Sequence, residues 1–536
     1  MKISVLTILL LVFFLQKVES QLPPSSFGFI DRSDVYARLH SGGDHFNDHN
    51  GNPFFETPKG SGHHTISFFG LWVGGLDVNE QLAIGAQIWA QGTDFYTGPL
   101  TNDGLGLCDE ETSSVWDRVN ELSRAEIIDH LGSYLLPGYE PIDAIADWPA
   151  HGDPDKNQDW IIAPFKDVDN DLSYIPENGD YPLIRGDKCY FYVINDNANI
   201  HTLTNGSEVG VEVRCIVYYF ECPEDSAFQH SIFFNYKIMN RIEGRNLHDA
   251  YISFYADFSI GDVADDYVGC DTTLNAVFGY NALPNDSEYG EHPPAQGICF
   301  LDHAPNRVMY FNKNGEIALT DPEVAPEFYN YMRNVWRDNT LLVVGGNGHY
   351  SQGGTDPAHF VFPGDLHQAD EWSEVSAGNN AGDRQIIASF GPVNMEYGDE
   401  REFNFCLTYA RDYEGDHIGS VDLLKERMER IRYFYDNDST PCTTSWTNIN
   451  TRSKTDDRLR LYPNPAERFI TMTTDMNFIE AKFKIFDYYG KAVASGTVTQ
   501  ENKQRISIDY LENGLYLMVI QYKDISICRK FVKQGS

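Results

Sequence analysis

The chain is poor in positive charge. Forty Lys and Arg face 79 Asp and Glu, a formal net charge of −39 over 536 residues. Such a balance repels nucleic acid and anionic lipid, and so argues against both as partners. Long apolar runs are nearly missing. The prominent one, residues 3–15 within MKISVLTILLLVFFLQKVES, is too short to cross a bilayer comfortably. With one lysine before it and small residues Val18 and Ser20 after it, residues 1–20 read as a secretory signal peptide cut after Ser20. No cysteine stands at the cut, which argues against a lipid anchor, and no later run is long enough to span a membrane. Catalytic signatures are missing as well: there is no GxSxG, Walker loop, GxGxxG or HExxH. None of the nine cysteines forms a CxxC pair, so zinc-ribbon and thioredoxin-like chemistry lack support. An exported chain can form disulfides, but spacing does not give the connectivity. Cys215, Cys406 and Cys528 lie in apolar runs and suit buried thiols.

Aromatic residues are plentiful, with 31 Tyr and 33 Phe. They favour pleated surfaces, and long helical periodicities are few, so the fold is expected to be mainly β. The length calls for more than one domain. A polar stretch at 437–457 reads as a linker between a large β-rich, sandwich-like domain at 21–436 and a small unit at 458–536. Just before it, Val421, Leu424, Met428, Ile431 and Phe434 recur at helical spacing and predict one closing helix. Residues 114–130 also look helical, with Ser123 and Glu126 at capping-box spacing. Runs at 210–222, 226–241 and 248–261 alternate apolar and polar residues and predict neighbouring antiparallel strands.

The final unit carries 12 Lys and Arg against 9 Asp and Glu from Asp457 on, a net of +3 that leaves −42 for the rest. Its alternating strands and Asn, Asp and Gly turns suit an Ig-like β-sandwich. Pro463 and Pro465 stiffen its start, and Gly490 and Gly514 are expected to supply turn conformations. Four blocks stand in order: Tyr462-Pro463-Asn464-Pro465-Ala466, Phe486 to Lys491, Leu511 to Tyr516, and Lys530 to Lys533. They resemble the type A C-terminal sorting domain of the type IX secretion system of the Bacteroidetes. The resemblance implies export across both membranes, handling by the type IX machinery, and a location outside the cell or on its surface. It also implies that the tail is an address. Phrases of the large domain, among them GLWVGGLD, DWPAHGD and DDYVGCD, resemble secreted Bacteroidetes proteins carrying the same tail. That second resemblance implies export and a β-rich fold and nothing about catalysis.

Two acidic loops are the candidate metal sites. In KDVDNDLSYIPENGDYP, Asp167, Asp169 and Asp171 occupy positions 1, 3 and 5 of an EF-hand-like calcium loop, with Ser173 at position 7. Position 6 is Leu172 rather than glycine, and Glu177 falls one residue before position 12. Leucine resists the left-handed backbone that such a turn needs. The second loop offers Asp257, Asp262, Asp265, Asp266 and Asp271. The competing reading of both is a solvated acidic turn. Five histidines, His40, His45, His49, His63 and His64, lie within 25 residues. Imidazoles bind metals, but loop histidines packed on aromatics are the plainer expectation. Trp72, Trp89, Trp148 and Trp160 could stack on sugars, though tryptophan more often packs a core. The function expected is a secreted or surface protein without catalysis, in a binding, adhesion or matrix role and stabilised by calcium, with surface glycans or extracellular matrix as its partners. The alternative is a secreted hydrolase of polysaccharide or protein. No catalytic residue stands out, because with 79 acids some close carboxylate pairs arise by chance.

Overall fold

The computed structural model describes residues 22–534 except 90, 91, 314, 443–445, 447–458, 465, 475–480, 488–490, 500–502 and 523–524. The expected signal peptide and most of the expected linker lie outside the described residues. The chain is mainly β with few helices.

Two antiparallel sheets build the body. The larger has nine strands, of which Ala295–Phe300, Glu400–Ala410, Ser231–Asn240, Val211–Tyr219 and Lys188–Asn195 lie side by side at its centre. The smaller has five, in the order Arg307–Asn312, Arg384–Met395, Leu247–Phe258, Ile66–Leu76 and Leu82–Gly85. Their facing sides meet through aromatic rings. Phe254 of the smaller sheet lies 4.7 Å from Phe405 of the larger, and Phe69 lies 5.4 Å from Phe234. Phe390 stands 5.0 Å from Phe300. Such pairs add about 0.5–1.5 kcal/mol each beyond the area they bury.

The outer faces are covered too. Helix His417–Asp436 turns Val421, Leu424, Met428 and Ile431 into a second core with Phe278, Cys299 and Cys406. Helix Ala325–Met332 covers the smaller sheet: Phe328 lies 4.9 Å from Trp72, and Tyr331 lies 5.0 Å from Phe311. A sheet covered on both sides needs strands apolar on both sides. Lys188–Asn195, KCYFYVIN, is buried at every position but the first.

That double burial explains one departure from expectation. Val211–Tyr219 and Ser231–Asn240 do pair. Leu247–Phe258 does not join them; it crosses to the smaller sheet, between Ile66–Leu76 and Arg384–Met395. Its pattern cannot name its sheet when both sheets ask for the same residues. Residues 114–130 differ as well. Helix Glu110–Trp116 ends there, Asn120–Ser123 pairs with residues 188–191, and helix Arg124–Ser133 follows. The capping box is complete: Ser123 N donates to Glu126 Oε2 at 2.7 Å and Glu126 N donates to Ser123 Oγ at 3.3 Å.

The C-terminal unit has two small sheets, one of three strands and one of four, around Ile470, Met472, Ile485, Met518 and Phe531. Gly514 opens strand Gly514–Tyr522 without a left-handed backbone, so the turn conformation expected of it is not its role. A Cβ there would meet only the Tyr516 ring, at 3.9 Å.

Cys222 and Cys442 form a disulfide across 220 residues of sequence. The bridge fixes the start of the polar stretch 437–457 to the body. Trp446 reinforces it by burying between Phe220, Phe228 and Phe233. Cys215 and Cys406 are buried free thiols. Replacing both Cys222 and Cys442 by serine is expected to lower the unfolding free energy by about 2–5 kcal/mol. A denaturant midpoint equal to the wild type's would show that the bridge adds no stability.

Candidate functional site

The first acidic loop hangs between two short paired strands, Phe165–Lys166 and Tyr181–Pro182. Its chain turns left-handed at Asn170 (φ 62°) and at Leu172 (φ 67°). Leucine thus takes the conformation that the sequence argued against. The loop's own hydrogen bonds hold it there. Asp167 accepts the backbone N–H of Asn170 at 2.6 Å, of Asp171 at 3.2 Å and of Leu172 at 2.8 Å. The indole of Trp160 donates to the carbonyl of Leu172 at 2.9 Å.

Asp167, Asp169 and Asp180 each place one carboxylate oxygen within 4.8 Å of the others. Asp180 was not singled out from sequence, because it stands two residues beyond the twelve of an EF-hand loop. It is buried and accepts from Val168 N at 2.7 Å and Ile175 N at 2.8 Å. Burial raises its pKa, and Asp167 and Asp169 add to the rise. The remaining candidates are not part of this group: Asp171 accepts from Ser173 N at 2.7 Å, and Glu177 lies in the short turn Pro176–Asn178.

The second loop is divided. Asp257 lies within strand Leu247–Phe258 of the smaller sheet and accepts from Gln385 Nε2 at 3.2 Å; burial raises its pKa well above the usual range. Asp271 pairs with Lys425 at 3.2 Å. Asp262, Asp265 and Asp266 gather around a tight turn with Asp286, whose carboxylate accepts Asp262 N at 3.0 Å. Burial, with Asp286 and Asp262 nearby, pushes Asp265 up to about 6. Asp266 is wholly buried, and its Oδ1 has no hydrogen-bond partner. Asn281, opposite it in the neighbouring strand, also has an Oδ1 without a partner.

The histidines separate into core and loop. His45 is buried, with Nε2 2.6 Å from the Tyr192 hydroxyl. His63 faces Glu288 at 3.5 Å. His40 and His49 stack 3.8 Å apart beside Asp44. Asp44 and His49 line a cavity of about 260 Å³ together with Gln87, Trp89 and Asp94. Of the other tryptophans, Trp72 and Trp148 are core residues, while Trp160 is 39% exposed and stacks on His151 at 3.9 Å.

Beside Asp94 of the cavity wall lies His201, which sequence reasoning missed because nothing around it repeats a known spacing. Its Nδ1 and Nε2 each stand 2.7 Å from a backbone carbonyl, of Ile84 and of Asp196. Two carbonyls require two N–H donors, so the ring is an imidazolium. Burial opposes the charge, but the carboxylates of Asp196 at 3.7 Å and Asp94 at 3.8 Å outweigh it and raise its pKa above 6.5.

In the C-terminal unit, Asn464 Oδ1 accepts Val532 N at 2.7 Å, and Ala466 N donates to Val532 O at 2.8 Å. The Tyr462–Ala466 block is thereby clamped to the last strand, Ile525–Lys533, which contains Lys530. Tyr516 stacks on Phe531 at 5.6 Å. Pro465 and Gly490 lie outside the described residues, and Tyr462 and Pro463 lead into the clamp. Residues 460–534 match the secretion system C-terminal sorting domain. This chain is type IX secretion cargo. The sorting domain implies an origin in the Bacteroidetes and directs the chain to export, either secreted or attached at the cell surface. No helix among the described residues is long and apolar enough to cross a membrane.

The likenesses to solved structures are weak. A solved polysaccharide lyase is similar over 60% of this chain and 34% of its own, at 9% identity and a TM-score of 0.18. A protein described as a kojibiose phosphorylase from human microbiome is similar over 52% of this chain and 25% of its own, at 6% identity and a TM-score of 0.20. The chain thus spans about a third and a quarter of those proteins, and scores this low carry no assignment. No curated protein matches the chain.

Two outcomes are expected. Deleting residues 458–536 leaves the protein in the periplasm, read by cell fractionation; truncated chain in the medium would contradict the sorting role. His201 stabilises the fold fully below pH 6.5, and that contribution is lost as pH rises through its raised folded pKa. Selectively labelled histidine NMR checks this, and a His201 ring that titrates at or below 6.5 would refute it.

Proposed function

We propose that the chain is a secreted or cell-surface binding protein without catalysis, whose first acidic loop holds calcium. The observation that carries this reading is the convergence of Asp167, Asp169 and Asp180 within 4.8 Å on a loop already wound by its own hydrogen bonds. A loop shaped before the ion arrives loses little entropy on binding it. Each carboxylate oxygen has two lone pairs, so the backbone bonds leave capacity for an ion. Export supports the reading further, since extracellular calcium modules work at Kd values of about 10⁻⁴–10⁻³ M. The unpartnered oxygens of Asp266 and Asn281 make the second loop the next candidate for the same ion. Trp160 is partly exposed, stacks on His151 and is bonded to the calcium loop, which suits a face that takes surface glycans or extracellular matrix.

A second reading, a secreted hydrolase of polysaccharide or protein, is favoured by the cavity of about 260 Å³ with Asp44 and Asp94 in its wall. Turnover of a polysaccharide or protein panel that Asp94→Asn abolishes would favour it over the binding reading.

Calcium at about 100 times Kd is expected to stabilise the mature chain by about 2.7 kcal/mol, a rise of a few degrees in Tm over the same protein in chelator. Asp169→Asn, at an exposed carboxylate that accepts from Asn178 Nδ2 rather than from the loop's backbone, removes most of the rise and leaves the chelated Tm in place. An equal loss in calcium and in chelator would reduce the loop to an acidic turn. Glycan-array binding that needs Trp160 checks the partner class, and an array blank for the calcium-loaded protein would reject glycans.

A further inference from the structure

We propose that His40, Asp44 and His49 form a binding site for a divalent transition-metal ion, with zinc the best match to the donors. The site is separate from the acidic loops and does not depend on the calcium reading.

One ligand atom from each of the three residues lies within 4.8 Å of the other two. His40 ends strand Tyr36–His40 and is wholly buried. Its Nε2 is 2.7 Å from the carbonyl oxygen of Asn47. A carbonyl only accepts, so Nε2 carries the proton and Nδ1 keeps the lone pair. That Nδ1 is buried and has no hydrogen-bond partner. Leaving a buried acceptor unsatisfied is unfavourable, and an ion on Nδ1 removes the penalty. A backbone carbonyl on the far nitrogen is also what metal-bound imidazoles characteristically carry, because it fixes the ring and raises its basicity.

His49 reaches the same spot from the loop. Its backbone is left-handed, at φ 60°, which folds the ring back over His40. Its Nε2 stands 2.8 Å from Asp44 Oδ2. Nitrogen and oxygen ligands about 2.1 Å from a tetrahedral ion stand about 3.4 Å apart, so this pair must open by roughly 0.6 Å, and the His49 ring must turn out of its 25° stack on His40 for the two imidazole lone pairs to converge. The proton now shared between them leaves as the ion binds. Two imidazoles and one carboxylate disfavour calcium, which takes oxygen donors, and favour a borderline-soft ion.

Asp44 and His49 line the cavity, and His40 is buried outside its lining. A tetrahedral ion held by these three has its fourth position towards the cavity, where water or a small ligand completes it. Three protein ligands and one open position is the arrangement of zinc sites that act on what they bind.

The test uses the full mature chain, stripped with chelator and then dialysed against zinc with calcium in excess to occupy the acidic loops. One zinc per chain is expected. Asp44→Asn and His49→Gln should each weaken zinc binding at least tenfold while the metal-free Tm stays near the wild type's. Cobalt in place of zinc should give tetrahedral ligand-field bands without thiolate-to-metal absorption, a readout on the wild-type chain that needs no variant to fold. No bound zinc, equal zinc in wild type and variants, or a thiolate band placing the ion on cysteine would each overturn the proposal. In those cases the Asp44–His49 contact serves only to hold the loop.

Discussion

The whole body depends on one constraint: the two sheets are covered on all four faces. The facing sides are locked by rings, with Phe254 against Phe405 and Phe69 against Phe234. The outer sides are closed by helices His417–Asp436 and Ala325–Met332. The central strands offer little of either face to water, and the polar groups they bury are held by one another, as Asn235 is by Asn404, Ser253 by Ser389 and Asp257 by Gln385. The first acidic loop, the turn at Asp262 and most of the cavity wall lie in the connections between them. Loops positioned by a rigid scaffold are the usual carriers of function.

Charge follows the same division. Residues 1–456 carry a net of −42, and many of their acids stand in connections that fold back on themselves. In the first loop the backbone N–H groups of Asn170, Asp171 and Leu172 partly offset Asp167. Around Asp265 and Asp266 the compensation is weaker, and burial lifts both pKa values. His201 shows a third solution, a buried cation set between Asp94 and Asp196. These three arrangements meet the cost of gathered carboxylates by backbone dipoles, by proton uptake and by a counter-charge.

Much of this was legible in the sequence. The sorting tail was, because its blocks combine turn chemistry with a fixed order. The closing helix was, because Val421, Leu424, Met428 and Ile431 mark a single buried stripe. The capping box at Ser123 was legible, but not the strand Asn120–Ser123 that precedes it, whose pairing with Lys188–Asn195 is a long-range contact without local signal. The sheet assignment of Leu247–Phe258 was hidden because burial on both faces erases the alternation that would place it. At the candidate sites, local spacing found Asp167 and Asp169. It could not find Asp180, which is brought in by a strand pair, nor His201, whose partners lie at Ile84, Asp94 and Asp196. Leu172 shows the limit of a propensity argument: four hydrogen bonds to the loop around it outvote the preference of one residue.

The Cys222–Cys442 bridge bears on how this cargo meets a mechanical load. The sorting tail implies handling by the export machinery, and tension applied there would reach the body from the C-terminal side. Without a cross-link that tension would act first on the end of helix His417–Asp436 and peel it from the large sheet one turn at a time. With the bridge, the pull passes from Cys442 to Cys222, just beyond strand Val211–Tyr219. It is then shared by strands that must shear together rather than by a helix that unzips.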